Sequence, residues 1–219
     1  MSKAQTEQAV EGKAKPNRMD RRRQETRAKL LKATLALVVK KGIEKTTMDD
    51  ITEKADLGRR TLYYHFGSKE ECVIASAVMS YTKIAEAADR SAHQYDDPAL
   101  AFAIAGQLVM RQIIEAPITA RLIEYPRFLA TAIRQSITGY VDQDLALGIE
   151  KGRFELPAEG RLLDTTILWS LVGVIIDTLD SNIDIDESLI YFSQIHLIFL
   201  GLAKDEALAI AEDAVKLLK

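Results

Sequence analysis

The segment from Thr46 to Lys69, TTMDDITEKADLGRRTLYYHFGSK, reads as two short helices joined by a break too abrupt for anything but a sharp turn. Thr47 is a good N-cap for the first helix, Asp49 and Asp50 suit its first turn, and Met48, Ile51 and Ala55 recur at helical spacing. Asp56-Leu57-Gly58 makes the break: Asp tolerates a left-handed backbone, Leu57 can turn inward, and Gly58 caps the second helix. In that helix Leu62 and Phe66 lie one turn apart and face inward. At roughly 100° per residue, Arg60 and Tyr64 then lie nearly opposite, with Thr61 and Tyr63 on the flanks.

The outward side of the second helix is therefore cationic, hydroxylated and aromatic, as a helix entering a major groove needs to be. Arg can pair bidentately with guanine, while Tyr and Thr can bond phosphates or touch a thymine methyl. Lys69, behind the cap Ser68, can neutralise a phosphate. Arg59-Arg60 alone would be an ordinary solvated charge pair. Turn, core spacing and charge together imply DNA binding.

Charge is distributed to match. Residues 1–69 hold 17 Lys or Arg against 9 Asp or Glu, whereas residues 70–219 hold 12 against 23, so a net charge of -3 conceals a basic end on an acidic body. One part touches nucleic acid, and the rest repels it and helps orient docking. The single cysteine, Cys72, excludes an internal disulfide framework. No apolar leader opens the chain, and the runs 99–106 and 189–203 are too short for the roughly 20 residues of a membrane span, so a cytoplasmic protein without membrane contact is expected.

Residues 1–20 are polar and basic and are expected to be disordered when free; as an arm they would track phosphates or simply be solvated. A helix is predicted from about 24 to 41, stopped by Gly42, and completes a three-helix unit over 21–68. Ser68 opens a long helix to near His93 that bridges into the body, residues 69–219. Asp97-Pro98 starts the next, to about Glu115, followed by a short piece at 120–124 and helices at 127–150, 159–179, 186–203 and 205–218. No strand pattern competes, so the fold is predicted all-α: an N-terminal helix-turn-helix domain and a larger C-terminal helical domain.

Residues 24–72 resemble the DNA-binding domain of the tetracycline-repressor (TetR-like) family of one-component regulators. The likeness rests on Thr46-Thr47 with Ile51 and Ala55, on Thr61-Leu62-Tyr63-Tyr64-His65-Phe66, and on Ser68-Lys69-Glu70. Two departures stand out: Thr52 replaces the usual Ala after Ile, and Asp56 and Gly58 replace the usual Gly and Ser of the turn. By resemblance, Thr47, the outer residues of the second helix, Tyr64, His65 and Lys69 touch DNA. The DNA-binding set is thus Thr47, Arg59, Arg60, Thr61, Tyr63, Tyr64, His65 and Lys69.

The resemblance also implies a ligand-binding and dimerisation role for the C-terminal domain, with a four-helix dimer interface. Apolar residues on the two helices before the last cover more than one stripe, which a buried central helix or a homodimer interface would each account for, and in the latter Gly173 and Gly201 would allow close approach. Met79, Phe102, Met110, Tyr125, Phe128 and Trp169 could line a small-molecule pocket, and Arg111 could meet an anionic ligand, although each is more simply a core or helix-end residue. The expected function is a repressor that binds a palindromic operator as a dimer and is released by an inducer. The alternatives are an activator of the same family and a helical adaptor working through protein contacts. With His65, His93 and His196 scattered and no zinc spacing, phosphate loop or nucleophile elbow, neither catalysis, a metal nor a cofactor is expected.

Overall fold

The computed structural model describes residues 17–156, 160–181 and 183–219. It contains α1 (Arg18–Lys41), α2 (Met48–Ala55), α3 (Arg59–His65), α4 (Lys69–Ala92), α5 (Pro98–Glu115), α6 (Thr119–Leu122), α7 (Pro126–Glu150), α8 (Gly160–Ser181), α9 (Ile185–Phe199) and α10 (Lys204–Leu217), with no strand among the described residues.

The first helix corrects the expected start at 24. Asn17 caps it, its side-chain oxygen accepting from the backbone N–H groups of Met19 and Asp20 at 2.8 and 2.9 Å, with Asp20 in the first turn. The basic run Arg21-Arg22-Arg23 is therefore helical, and of the expected arm only residues 1–16 lie outside the described residues. The helix ends at Gly42, φ 84°, whose N–H closes on the Val38 carbonyl at 2.8 Å.

Leu30, Leu31, Ala33, Ile51, Leu62, Phe66 and Cys72 form the core of the N-terminal unit. Asp56 sits at φ 53°, ψ 52°, the left-handed turn that sets α3 across α2. The helix α4 belongs to two cores. Its Cys72 joins Phe66 in the N-terminal core, while Val73, Ala77, Tyr81, Ala85 and Ala88 join a second core that runs from Val38 and Ile43 of the N-terminal unit into α5, α7 and α8. Tyr81 is fully buried and its hydroxyl meets Thr119 Oγ1 at 2.7 Å, which itself donates to the Ile113 carbonyl at 2.5 Å. A third core joins Phe102, Phe154, Leu163, Leu197 and Leu200 near α10.

Two contacts outside these cores fasten the units. The Arg121 guanidinium donates to the Val39 carbonyl near the end of α1, at 3.1 and 3.3 Å. Tyr125 OH donates to Glu44 at 2.5 Å, with Phe128 stacked behind the Tyr125 ring.

The helix α9 stops at Phe199 instead of reaching 203. Leu200 is its cap, and Gly201 takes φ 98°, with the chain so close to Glu155 that a Cβ there would lie 3.2 Å from the Glu155 carbonyl oxygen. Gly201 thus serves a turn and not a helix crossing. On the outer side of α8 and α9, Trp169, Tyr191, Ile195, Ile198 and Phe199 are exposed, while Leu168, Leu171, Ile175, Leu189 and Leu197 face inward.

Candidate nucleic-acid interface

Thr47 caps α2 with a reciprocal pair of bonds. The Asp50 N–H reaches Thr47 Oγ1 at 3.1 Å, and the Asp50 carboxylate accepts from the Thr47 N–H at 2.7 Å. The Thr47 hydroxyl also donates to Asp50 at 2.6 Å, so its proton is committed within the protein. Lys41 pairs with the same carboxylate at 2.7 Å. Hydrogen bonds from Lys41 and Thr47 hold the Asp50 carboxyl down at about 2. The folded value lies below the ordinary 3.8, so this contribution to stability is complete above that range and disappears as the pH falls through about 2. Replacing Thr47 by Ala is expected to cost about 1 kcal/mol of stability in urea unfolding, and Thr47→Ser to restore most of it.

The core side of α3 is closed: Leu62 is 0% and Phe66 1% exposed. Its outer side is open, with Tyr63 at 57% and Tyr64 at 65%. Arg59 and Arg60 are also exposed, and Thr61 and His65 half-buried. The structure thus brings the α3 residues of the expected set together on one helix, with Thr47 at the head of α2 and Lys69 at the head of α4.

These residues are not equally free. Arg59 is paired with Asp49 of α2, which draws it toward that helix. Lys69 donates to the Ile43 carbonyl in the α1–α2 loop at 3.1 Å, leaving two ammonium donors for a phosphate. Burial, with the charges of Arg23 and Arg27, lowers the His65 pKa, so at neutral pH its ring is uncharged and can both donate and accept.

Arg23 and Arg27 are absent from the expected set. They lie one turn apart on α1, with the Arg23 guanidinium 5.3 Å from the Tyr64 ring centre and that of Arg27 5.0 Å from Phe66. The basic edge of α1 is thereby continuous with the face of α3. Their spacing is legible in the sequence, but their approach to α3 is a tertiary contact.

In the body, a narrow cavity of about 50 Å³ lies among α4, α5, α7, α8 and α9. Of the residues expected around a pocket only Phe102 lines it. Met110 is fully buried in the core, Met79 packs against the N-terminal core, Tyr125 and Phe128 stack on each other, and Trp169 is on the outer surface. Arg111 is ion-paired with Asp186, so it is not an anion receptor waiting in an apolar helix. No group of three or more His, Cys, Asp or Glu suited to a metal occurs among the described residues, and none of their helices is long and apolar enough to cross a membrane.

Residues 30–75 match the family model for bacterial regulatory proteins of the tetR family. Over 52 residues the chain is 42% identical to the HTH-type transcriptional regulator TtgR of Pseudomonas putida, and to the same degree to the probable HTH-type transcriptional regulator ArpR of Pseudomonas putida. Each match covers 24% of this chain and only 25% of the relative. Most of the chain is similar to solved structures of RolR. The complex with resorcinol matches with a TM-score of 0.75 and 26% identity over 87% of this chain and 95% of that one. The ligand-free form matches with a TM-score of 0.71 and 25% identity over 84% and 95%.

Proposed function

Because the chain belongs to the tetR family of bacterial transcriptional regulators, we propose that it is a repressor which binds a palindromic operator as a homodimer and leaves it when a small molecule enters the body. The observation that carries this reading is the face of α3: Arg60, Tyr63 and Tyr64 stand exposed over an N-terminal core closed by Leu62 and Phe66. In this assignment residues 21–68 read DNA, residues 69–219 dimerise and sense, and α4 serves both. The residues that meet DNA are Thr47, Arg59, Arg60, Thr61, Tyr63, Tyr64, His65 and Lys69, with Arg23 and Arg27 beside them.

Dimerisation is supported by the exposed Trp169, Tyr191, Ile195, Ile198 and Phe199 on α8 and α9, an apolar surface that a second copy would cover. Two recognition helices then read half-sites about one DNA turn apart. Release is supported by the shared helix α4 and by the fastenings Arg121 to Val39 and Tyr125 to Glu44, through which a change in the body reaches α1 and the loop after it. A hundredfold loss of operator affinity needs about 2.7 kcal/mol of difference in ligand binding between the two states, which is within the common range of allosteric coupling. The likeness to the resorcinol complex of RolR supports an effector of about one aromatic ring.

Changing two residues separates base reading from phosphate binding. Arg60→Ala is expected to cost about 1–3 kcal/mol on a selected operator and to relax the preference at the base it contacts. Lys69→Gln is expected to weaken all duplexes alike and to reduce the slope of log affinity against log salt by about 1. Both are read from fluorescence anisotropy titrations at several salt concentrations. Parent-like binding by both variants would remove these residues from the interface.

A further inference from the structure

Resting on the reading that the body senses a small molecule, we infer that the cavity between α4 and α7 takes a ring-sized hydrogen-bond donor such as a polyhydroxylated aromatic, held between Asp89 and Asp144, and rejects carboxylates. Three features carry this. The walls are apolar and small: Ala85, Ala88, Ala105 and Gly106 on two helices leave room that Phe102 and Phe192 help to bound. Flat apolar surfaces of this kind suit a ring.

The polar lining is one-sided. Besides Tyr140, it consists of two acidic residues, Asp89 on α4 and Asp144 on α7, and among the described residues no Lys or Arg lines the cavity. Asp89 has His93 for a partner, 3.3 Å away and exposed, outside the lining. Asp144 is half-buried and accepts no hydrogen bond from any described residue. Burial and the charge of Asp89 push its carboxyl up to about 6, in spite of the opposing influence of His93. A carboxylate or acyl phosphate entering here would face two like charges. A hydroxyl donor would instead satisfy an acceptor that no described residue bonds.

The cavity is also too small as it stands. At about 50 Å³ it falls well short of the roughly 150 Å³ that accommodates benzene in an engineered core. Entry of a ring must therefore move a wall. Ala85, Ala88 and Asp89 place one wall on α4, the helix that also packs into the DNA-binding unit through Cys72 and Val73. The selecting carboxylate on that helix and the displaced wall are thus the same element, which gives the ligand different contacts in the two states.

The test is calorimetric titration of the full-length protein with the three dihydroxybenzenes and, separately, benzoate, repeated on Asp144→Leu, Asp144→Asn and Asp89→Asn. Circular dichroism confirms folding, and operator affinity is measured on each ligand-free sample. The expected result is saturable binding of at least one dihydroxybenzene, none of benzoate, and a loss of at least about tenfold in Asp144→Leu, with Asp144→Asn between it and the parent. Benzoate bound as well as the diols, no diol bound by the folded parent, or parent-like diol affinity in both Asp144 variants would overturn the inference. Diol binding by a chain that ignores duplex DNA would uphold the pocket and defeat the regulator, so the two failures are distinct.

Discussion

Replacing Phe66 by Ala is expected to remove about 3–5 kcal/mol of stability from the DNA-binding unit and to abolish operator binding. The ring is 1% exposed and closes the core formed by Leu30, Leu31, Ile51, Leu62 and Cys72. It also carries Arg27 across its outer face, so its loss frees a cation as well as opening a cavity. The orientation of α3 depends heavily on Leu62 and Phe66, because Gly58 supplies no side-chain cap. Phe66 belongs to neither of the two cores that hold α4–α10 together, so circular dichroism should show most of the helix retained while the low-denaturant part of the unfolding curve moves to lower urea. An unchanged curve with parent-like operator affinity would contradict this role for the ring.

The second large effect is far from DNA. Gly148, near the end of α7, lies against the Phe154 ring, and a Cβ built on it would fall 1.9 Å from Phe154 Cδ2. The backbone N–H of Phe154 bonds the Gly148 carbonyl at 3.1 Å, so the ring cannot slide aside without breaking the turn that ends α7. Gly148→Ala therefore expels a ring that is 5% exposed and stacked edge-on against Phe102 at 5.9 Å. About 3 kcal/mol should be lost, from the burial of the ring and the strain of refitting it. Gly139 on the same helix has nothing within 4 Å of its would-be Cβ, so Gly139→Ala should instead stabilise by up to about 1 kcal/mol. Thermal unfolding of the pair checks both signs at once; equal shifts would mean that Gly148 is not held against Phe154.

These residues differ in how far their surroundings can be read from sequence. The left-handed Asp56, the Thr47 cap, and the inward Leu62 and Phe66 are legible because each depends on residues within a few positions of it. The earlier start of α1 is also local, carried by Asn17 and Asp20, but the polar stretch up to residue 20, with almost no large apolar side chain, invites a disordered reading. Arg23 beside Tyr64 and Arg121 on the Val39 carbonyl join distant segments, and no spacing announces them.

The cavity is hidden for a different reason. Large residues point to Met110, Tyr125 and Trp169, whereas the space exists where side chains are small, at Ala85, Ala88, Ala105 and Gly106. Absent volume leaves no periodic signal. The Lys69 tie to Ile43 likewise shows that a cation in the right place for a phosphate also has a structural task in holding α4 to the α1–α2 loop.

Whether a dimer reads a palindrome with α3 is tested most directly by selecting random duplexes with the purified full-length protein at physiological salt and sequencing those retained. Enrichment of an inverted repeat with half-sites about one DNA turn apart is expected, and loss of that enrichment with Arg60→Ala. Enrichment of a single unrepeated half-site, or retention of duplexes without any sequence in common, would contradict it.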